Sequence, residues 1–233
     1  MKVSLAFLNI IFFTFFSSHA LADNVELNNK IGVKLGKKID TVKKSSFPGL
    51  YEVTSEGKIL YVDESLKYIF SGNIYDIDKR KNITQERLKI VQMIDFKSLP
   101  LQNGIQTIRG KPKKTIVVFS DPNCKFCQQL EKNLESLSDV KIVTFLYPIL
   151  SDDSAIKSRD IWCSQSSTEA WKNWMIAGKK PEKFECDSPN ENNLLLGKKL
   201  NVIATPVIFF SDGDRITGAA SLRKINEKLQ TLN

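Results

Sequence analysis

Two cysteines three positions apart are the residues of this sequence best suited to chemistry. Cys124 and Cys127 lie in the segment DPNCKFC, residues 121–127, directly after an apolar run. A thiolate can attack a disulfide, and a second thiol close by can then resolve the mixed disulfide that forms. The pair is therefore predicted to be redox-active, although the same spacing also occurs in inert disulfides and as half of a zinc site.

The position of this pair favours redox chemistry over both alternatives. The apolar run at residues 115–119 predicts a buried strand, and apolar spacing from Cys124 to Leu137 predicts a helix. Cys124 then lies at the helix N-terminus, where free backbone N–H groups favour a thiolate, and Lys125 adds positive charge beside it. Cys127 lies one turn along the same face, within reach of Cys124 for a small disulfide ring.

Residues 1–22 predict a cleaved secretory signal peptide. A basic residue, Lys2, precedes an almost entirely apolar run at residues 5–16, and the sequence ALA at residues 20–22 is a cleavage site. The run is short for a helix that must span a hydrocarbon layer of about 30 Å. Cleavage removes His19, the one histidine of the chain, so Cys-His pairs and His-ligated metal sites are excluded.

Cys163 and Cys186 complete the set of four cysteines, in a chain exported to a compartment that permits disulfides. Four cysteines can pair in three ways, and the sequence alone does not choose among them. A bond between Cys163 and Cys186 would close a loop and contribute roughly 3 kcal/mol on the chain-entropy model. A zinc ribbon is disfavoured because it needs a second close pair of ligands, and neither of these two cysteines has another cysteine near it in the sequence.

The charge pattern argues against a nucleic-acid partner. The chain has 34 basic and 26 acidic residues among 233, a net charge of +8. Because acidic residues are interleaved with basic ones, a mixed solvated surface is expected. No metal or other cofactor is predicted.

Residues 23–81 predict a small antiparallel domain. Runs of β-branched and aromatic residues at 50–54, 59–62 and 68–70 are separated by polar turns, which is typical of a meander. The basic segment 30–46 has a weak pattern and suggests a short helix. About 60 residues form only a marginal core, so we expect this domain to bury a face against a second copy.

Residues 82–111 predict a linker and residues 112–233 a second domain. Helical spacing runs from 83 to 99, and loop residues follow. The second domain alternates strands and helices around a long helical insert, residues 154–200, which indicates an α/β unit with a mixed sheet. Its other strands are expected at 140–147 and 207–210.

Asp121 and the tryptophans of the insert are interpreted as structural residues. Asp121 could exchange a proton with Cys127, but an aspartate before Pro-Asn is typical of a turn or helix cap. The three tryptophans at helical spacing are expected to form the core of the insert: Trp162, Trp171 and Trp174.

Taken together, these features resemble the DsbC/DsbG family of periplasmic disulfide isomerases, whose catalytic domain has a thioredoxin fold. The resemblance is carried by the strand, CxxC and helix at residues 117–130 and by Thr205-Pro206, which lies 82 positions after Cys124. It is also carried by the cysteines of the insert and by the upstream meander. The resemblance implies an α+β architecture: an N-terminal dimerisation domain, a linker helix and a thioredoxin-like domain with a helical insert, assembled as a V-shaped homodimer.

The resemblance also assigns roles to residues that the pattern alone left open. It implies that Cys124 attacks, that Cys127 resolves, and that Pro206 is a cis-proline preceded by Thr205, which tunes the nucleophile. It further implies a structural disulfide between Cys163 and Cys186. Two departures bear on redox poise: Lys-Phe separates the active-site cysteines where the family commonly has Gly-Tyr, and Ala204 stands where it commonly has glycine.

The function implied is a periplasmic thiol:disulfide isomerase that rearranges non-native disulfides in misfolded secreted proteins. It would also have chaperone activity and would be kept reduced by a DsbD-type membrane thiol reductant. Two alternatives remain open. One is a net disulfide oxidant or reductase, and the other is a holdase chaperone in which the CxxC is incidental.

Overall fold

The computed structural model describes residues 18–232, which form two compact units. The first unit ends at Ile74 and the second begins at Tyr75. The predicted signal peptide lies outside the described residues except for its last five, which belong to the first helix. Within the described range, no helix combines the length and the apolar character that a bilayer span requires.

The first unit is a four-stranded antiparallel sheet with one helix. Its elements are α1 (Ser18–Leu35), β1 (Thr41–Lys44), β2 (Leu50–Ser55), β3 (Lys58–Asp63) and β4 (Ile69–Phe70), and the strands lie in that order. Glu56 and Gly57 both have positive φ and join β2 to β3 in a tight hairpin, as the polar turn predicted. The core is small: its cluster contains four buried apolar side chains, Ile31, Val42, Val53 and Val62, with partly buried neighbours around them.

Strand β1 differs from the sequence interpretation, which placed residues 30–46 in a short basic helix. The helix ends at Leu35, and residues 41–44 pair with β2 instead. Val42 is the one buried residue of this strand, and its neighbours are exposed threonine and lysines. The strand therefore exists because of its pairing with β2, which a local pattern does not encode.

The second unit is built on a five-stranded mixed sheet. Its elements are β5 (Tyr75–Asp76), β6 (Lys81–Asn82), α2 (Ile83–Val91), two short 3₁₀ turns (Phe96–Ser98 and Leu101–Asn103), β7 (Ile105–Arg109), β8 (Lys114–Ser120), α3 (Lys125–Leu134), β9 (Val140–Leu146), α4 (Asp152–Trp162), α5 (Ser167–Ala177), α6 (Asn190–Lys199), β10 (Val207–Phe210), β11 (Arg215–Thr217) and α7 (Leu222–Gln230). The sheet order is β11-β10-β8-β9-β7, with β8 and β9 parallel and the other pairs antiparallel.

The central strand β8 is buried on both faces, as its continuous apolar run predicted. Ile116 and Val118 pack in one core with residues of α3 and α7, while Val117 and Phe119 pack in another on the opposite face. Because both faces of β8 are packed, its register is fixed, and so is the position at which the segment after Ser120 begins.

Residues 105–109 differ from the sequence interpretation, which placed them in the linker. They form the edge strand β7 and pair with β9 along five residues. Only two of these five residues are apolar, and just one of the two, Ile105, is buried. The hairpin at residues 75–82 belongs to the second of the two compact units.

Helix α2 ends eight residues earlier than the apolar spacing predicted. Beyond Val91 the chain is hydrogen-bonded to a distant part of the second unit. The Ile94 N–H donates to the Gly213 carbonyl at 3.0 Å. The Arg215 guanidinium donates to the Gln92 carbonyl at 2.6 Å. These long-range hydrogen bonds replace the helical ones and end the helix.

Candidate active site

Cys124 lies at the junction between β8 and α3 and is the N-cap residue of the helix. Its backbone is extended, with φ −82° and ψ 115°, and its sulfur accepts a hydrogen bond from the Cys127 N–H at 3.3 Å. Backbone N–H groups at a helix N-terminus carry partial positive charge and stabilise an anion placed there. The sulfur of Cys124 therefore occupies the place in α3 where a negative charge is best accommodated.

The cysteines divide into two pairs of different kinds. Cys163 and Cys186 are joined by a disulfide with a Cα–Cα distance of 5.7 Å, whereas Cys124 and Cys127 are free thiols. Across the described residues, no group of three or more His, Cys, Asp or Glu side chains is arranged to hold a metal ion.

Cys127 is sealed inside the protein. It is 1% exposed, and burial raises its pKa to about 12, with a further increase from its hydrogen bond with Cys124. Hydroxyls of Ser120 and Thr205 beside it oppose that rise. Cys127 is therefore a neutral thiol at physiological pH.

Cys124 is also largely covered, with 5% of the residue exposed. Cys124 and Cys127 both belong to an apolar cluster with Ile161, Trp171 and Met175. The side chains between the two cysteines, in contrast, point into solvent. Only a small part of Cys124 is therefore accessible to an incoming disulfide.

The loop before β10 lies against the sulfur of Cys124. The peptide bond between Thr205 and Pro206 is cis, and the Cys124 thiol donates to the Thr205 carbonyl at 3.4 Å. The antiparallel pairing of β10 with β8 brings this loop to the sulfur, although 81 positions separate the two residues. The structure thus brings together the four residues that the sequence analysis named: Cys124, Cys127, Thr205 and Pro206.

Asp121 holds the active-site turn through its hydrogen bonds. Its buried carboxylate accepts hydrogen bonds from the Asn123 N–H at 2.8 Å and from the Ser154 hydroxyl at 2.9 Å. It also accepts from the N–H groups of Ile149 and Leu150, at 2.9 and 3.0 Å. Four donors occupy this carboxylate, as the interpretation of a turn residue requires.

The tryptophans of the insert pack around the active site. Trp171 is fully buried in the cluster that contains both free cysteines, and Trp162 and Trp174 pack against it. The sequence predicted that these residues form a core, and it did not indicate that this core encloses the cysteines. It also missed the indole N–H of Trp174, which donates to the Pro122 carbonyl at 2.6 Å.

This arrangement can carry out thiol–disulfide exchange. The Cys124 thiolate can attack one sulfur of an incoming disulfide, which forms a mixed disulfide and releases the other sulfur as a thiolate. Cys127, once deprotonated, can then attack Cys124, close a Cys124–Cys127 disulfide and release the bound partner. The two steps together oxidise the protein by two electrons and reduce the incoming disulfide to two thiols.

Comparison with known proteins connects this geometry to disulfide exchange. Residues 101–233 match the thioredoxin-like domain family, and residues 18–85 match the N-terminal domain family of disulfide bond isomerase proteins. The probable thiol:disulfide interchange protein DsbC of Bordetella parapertussis is 38% identical over 194 residues, which are 83% of this chain and 69% of that protein. The thiol:disulfide interchange protein DsbC of Escherichia coli (strain K12) is 22% identical over 219 residues, 92% of this chain and 90% of that protein.

A solved structure is similar as well. The disulfide interchange protein from Neisseria gonorrhoeae superposes with a TM-score of 0.55 at 33% sequence identity. The superposition covers 57% of this chain and 96% of that one.

Proposed function

Because this chain belongs to the DsbC family of thiol:disulfide interchange proteins, we infer that its CxxC is the reactive centre of a disulfide isomerase. Its substrates are misfolded secreted proteins with non-native disulfides. The observation that carries this proposal is the free thiol of Cys124, held at the N-terminus of α3 against the carbonyl of Thr205. Cys124 is the attacking residue, Cys127 the resolving residue, and Thr205 and Pro206 form the wall of the site.

The thiol that attacks the mixed disulfide decides whether the client is isomerised or reduced. When the client's own free thiolate attacks it, the client exchanges one disulfide for another and the enzyme returns to its dithiol state, with no net electron transfer. When Cys127 attacks instead, the client is reduced and the enzyme is oxidised. Because burial raises the pKa of Cys127, the second path is slow at neutral pH and the client has time to rearrange.

An enzyme oxidised by the second path needs two electrons to return to its dithiol state. We propose that a membrane thiol reductant of the DsbD type supplies them. The predicted signal peptide places the chain in the periplasm, where disulfides form in client proteins. In vivo, a mostly reduced Cys124–Cys127 pair supports an isomerase, whereas a mostly oxidised pair supports a net oxidant.

The chain is proposed to form a homodimer through a dimerisation domain that spans residues 23–81. Most of this domain lies in the first unit. Its edge strand β4 has exposed apolar side chains, including Ile69 and Phe70, and Tyr68 precedes them. An exposed apolar edge strand offers unpaired backbone groups and apolar surface, which a second copy can cover.

The Cys163–Cys186 disulfide is assigned a structural role in the insert.

The proposal is tested by refolding a scrambled multi-disulfide protein with the reduced enzyme. Native disulfides are expected to form faster with the native chain and not with Cys124→Ala. If Cys124→Ala rescues the scrambled protein equally well, the isomerase proposal is wrong. Refolding of a cysteine-free substrate measures the chaperone activity separately, and there Cys124→Ala is expected to act like the native chain.

A further inference from the structure

Pro122 is a buried residue two positions before Cys124, and its carbonyl accepts a hydrogen bond from the insert. Within residues 18–232, the donor that reaches it is the indole N–H of Trp174, at 2.6 Å. Trp174 lies on α5, in the insert, and its ring packs against the cluster that contains both free cysteines. A single hydrogen bond thus connects the insert to the peptide that leads into the reactive cysteine.

Lys157 supports the same turn from α4. Its ammonium lies 4.8 Å from the centre of the Trp174 ring, and the side chain is only 12% exposed. It also forms an ion pair with Asp153, whose carboxylate accepts a hydrogen bond from the Asn123 side chain at 2.7 Å. The lysine therefore connects to both residues of the Pro122–Asn123 dipeptide, through the indole on one side and through the carboxylate on the other.

The Pro122–Asn123 dipeptide determines the direction in which the sulfur of Cys124 points. The sulfur meets the Cys127 N–H at 3.3 Å only while the backbone of Cys124 is extended, and Asn123 leads directly into it. Loss of the indole donor would leave the Pro122 carbonyl without this hydrogen bond, which favours rotation of the turn toward water. Rotation would move the sulfur away from the helix N-terminus.

We propose that Trp174 is a positioning residue for Cys124, and that Lys157 holds its indole in place. The inference rests on the proposed function, because it takes Cys124 as the attacking sulfur. It assigns to the insert a part in setting thiol reactivity, beyond forming a core.

The test compares Trp174→Phe with the native protein in two measurements. The first is the pH profile of Cys124 alkylation by iodoacetamide. The second is the equilibrium of the Cys124–Cys127 pair with oxidised and reduced glutathione. Phenylalanine retains the ring packing and removes the N–H donor.

We expect alkylation at pH 7 to slow by about 3- to 10-fold, with the pH profile displaced to higher pH. That factor corresponds to the net free energy that one hydrogen bond contributes. The glutathione equilibrium is expected to move toward the disulfide by a similar factor.

Trp162→Phe is the matched control. It makes the same substitution in a ring that packs against the same cluster, at the end of α4. It is expected to match the native protein within about twofold in both measurements, while a general loss of packing would shift both variants alike. Equal behaviour of Trp174→Phe and Trp162→Phe would overturn the inference.

Lys157→Met keeps the test decisive if Trp174→Phe does not fold. Methionine fills the space of the lysine stem and removes the cation from the ring. We expect a smaller change in the same direction, and no change in either measurement would refute the inference. A native protein whose Cys124 neither alkylates nor exchanges with glutathione would instead contradict the proposed function itself.

Discussion

Cys127 and Glu131 lie one helical turn apart on α3, and both side chains are buried. Burial raises the pKa of Cys127 to about 12 and the pKa of Glu131 to about 7, because neither anion has access to water. For Glu131 the nearby carboxylate of Glu135 adds to the rise, while Trp171 and Arg109 oppose it. Both groups therefore bind their protons at a pH where exposed groups of the same type have begun to lose them.

The burial of Cys127 predicts that alkylation is selective. Because burial raises the pKa of Cys127 to about 12, almost none of it is a thiolate at pH 8, so iodoacetamide is expected to modify Cys124 alone. Trypsin cleaves after Lys125, which places the two cysteines on separate peptides for mass spectrometry. Cys124→Ser provides the control and is expected to remain unmodified until the protein is unfolded. Equal labelling of both cysteines in the native protein would contradict this.

The raised pKa of Glu131 predicts a stability that depends on pH. Between pH 4.5 and 7 the folded protein retains a proton that the unfolded chain releases, so the free energy of unfolding falls as pH rises. The difference reaches at most about 3 kcal/mol above pH 7. Glu131→Gln is therefore expected to be more stable than the native protein at pH 8 and similar to it at pH 4.

Urea denaturation at the two pH values measures this effect. Glu227→Gln, a substitution of an exposed glutamate on α7, is the control and is expected to change little at either pH. If Glu131→Gln shows the same fall in free energy between pH 4 and 8 as the native protein, the carboxyl of Glu131 is not its source.

At the scale of elements, the segment after α2 is fixed by the hairpin of β10 and β11. Gly213 has φ +85°, and a Cβ atom built there would lie 2.3 Å from the carbonyl oxygen of Ile94. The same glycine accepts the Ile94 N–H, so the two backbones cannot separate without losing a hydrogen bond. Only glycine satisfies both the backbone angle and the close approach.

This contact predicts different costs for two glycine substitutions. Gly213→Ala combines backbone strain with a clash, and it is expected to lower the free energy of unfolding by about 3 kcal/mol or more. Gly218→Ala has the same strain, at φ +89°, with no atom within 4 Å of the added carbon, and it is expected to cost only about 1 kcal/mol. Urea denaturation of the two variants gives the comparison. Equal losses would show that the approach of Ile94 contributes nothing.

At the scale of the whole molecule, the two units differ in how well they can stabilise themselves. The second unit contains three clusters of buried side chains, whereas the first has a single cluster of four buried residues. A core of that size is marginal for a unit of fewer than 60 described residues. This imbalance is the physical reason to expect a second copy against the first unit.

A charge on the edge of the first unit is therefore expected to prevent dimerisation. Ile69, on β4, is 51% exposed, and Ile69→Lys would place an ammonium in the proposed contact. At micromolar concentration the native chain is expected to be a dimer and the variant a monomer in sedimentation equilibrium. Ile108→Lys, at a 63% exposed position on the edge strand β7 of the second unit, is expected to remain a dimer. A monomeric native chain would refute the proposed assembly.

Much of the architecture could be predicted because its signals are local. The buried run of β8 and the hairpin of β2 and β3 each depend on residues close together in the chain. Strands β1 and β7 and the end of α2 could not be predicted, because long-range pairing and hydrogen bonds define them. Sequence reasoning likewise identified Asp121 as a turn residue, but it could not find the contact between Trp174 and Pro122, which are 52 positions apart.

The sequence by itself determined the type of chemistry: a CxxC between an apolar strand and a helix predicts thiol–disulfide exchange, since strand, turn and helix N-terminus are adjacent in the chain. Tertiary structure alone decided how that chemistry is controlled. Packing of the insert buries Cys127 and raises its pKa, and the pairing of β10 with β8 brings Thr205 to the sulfur of Cys124. Burial and distant pairing depend on how the chain closes on itself, and no local pattern of residues records that.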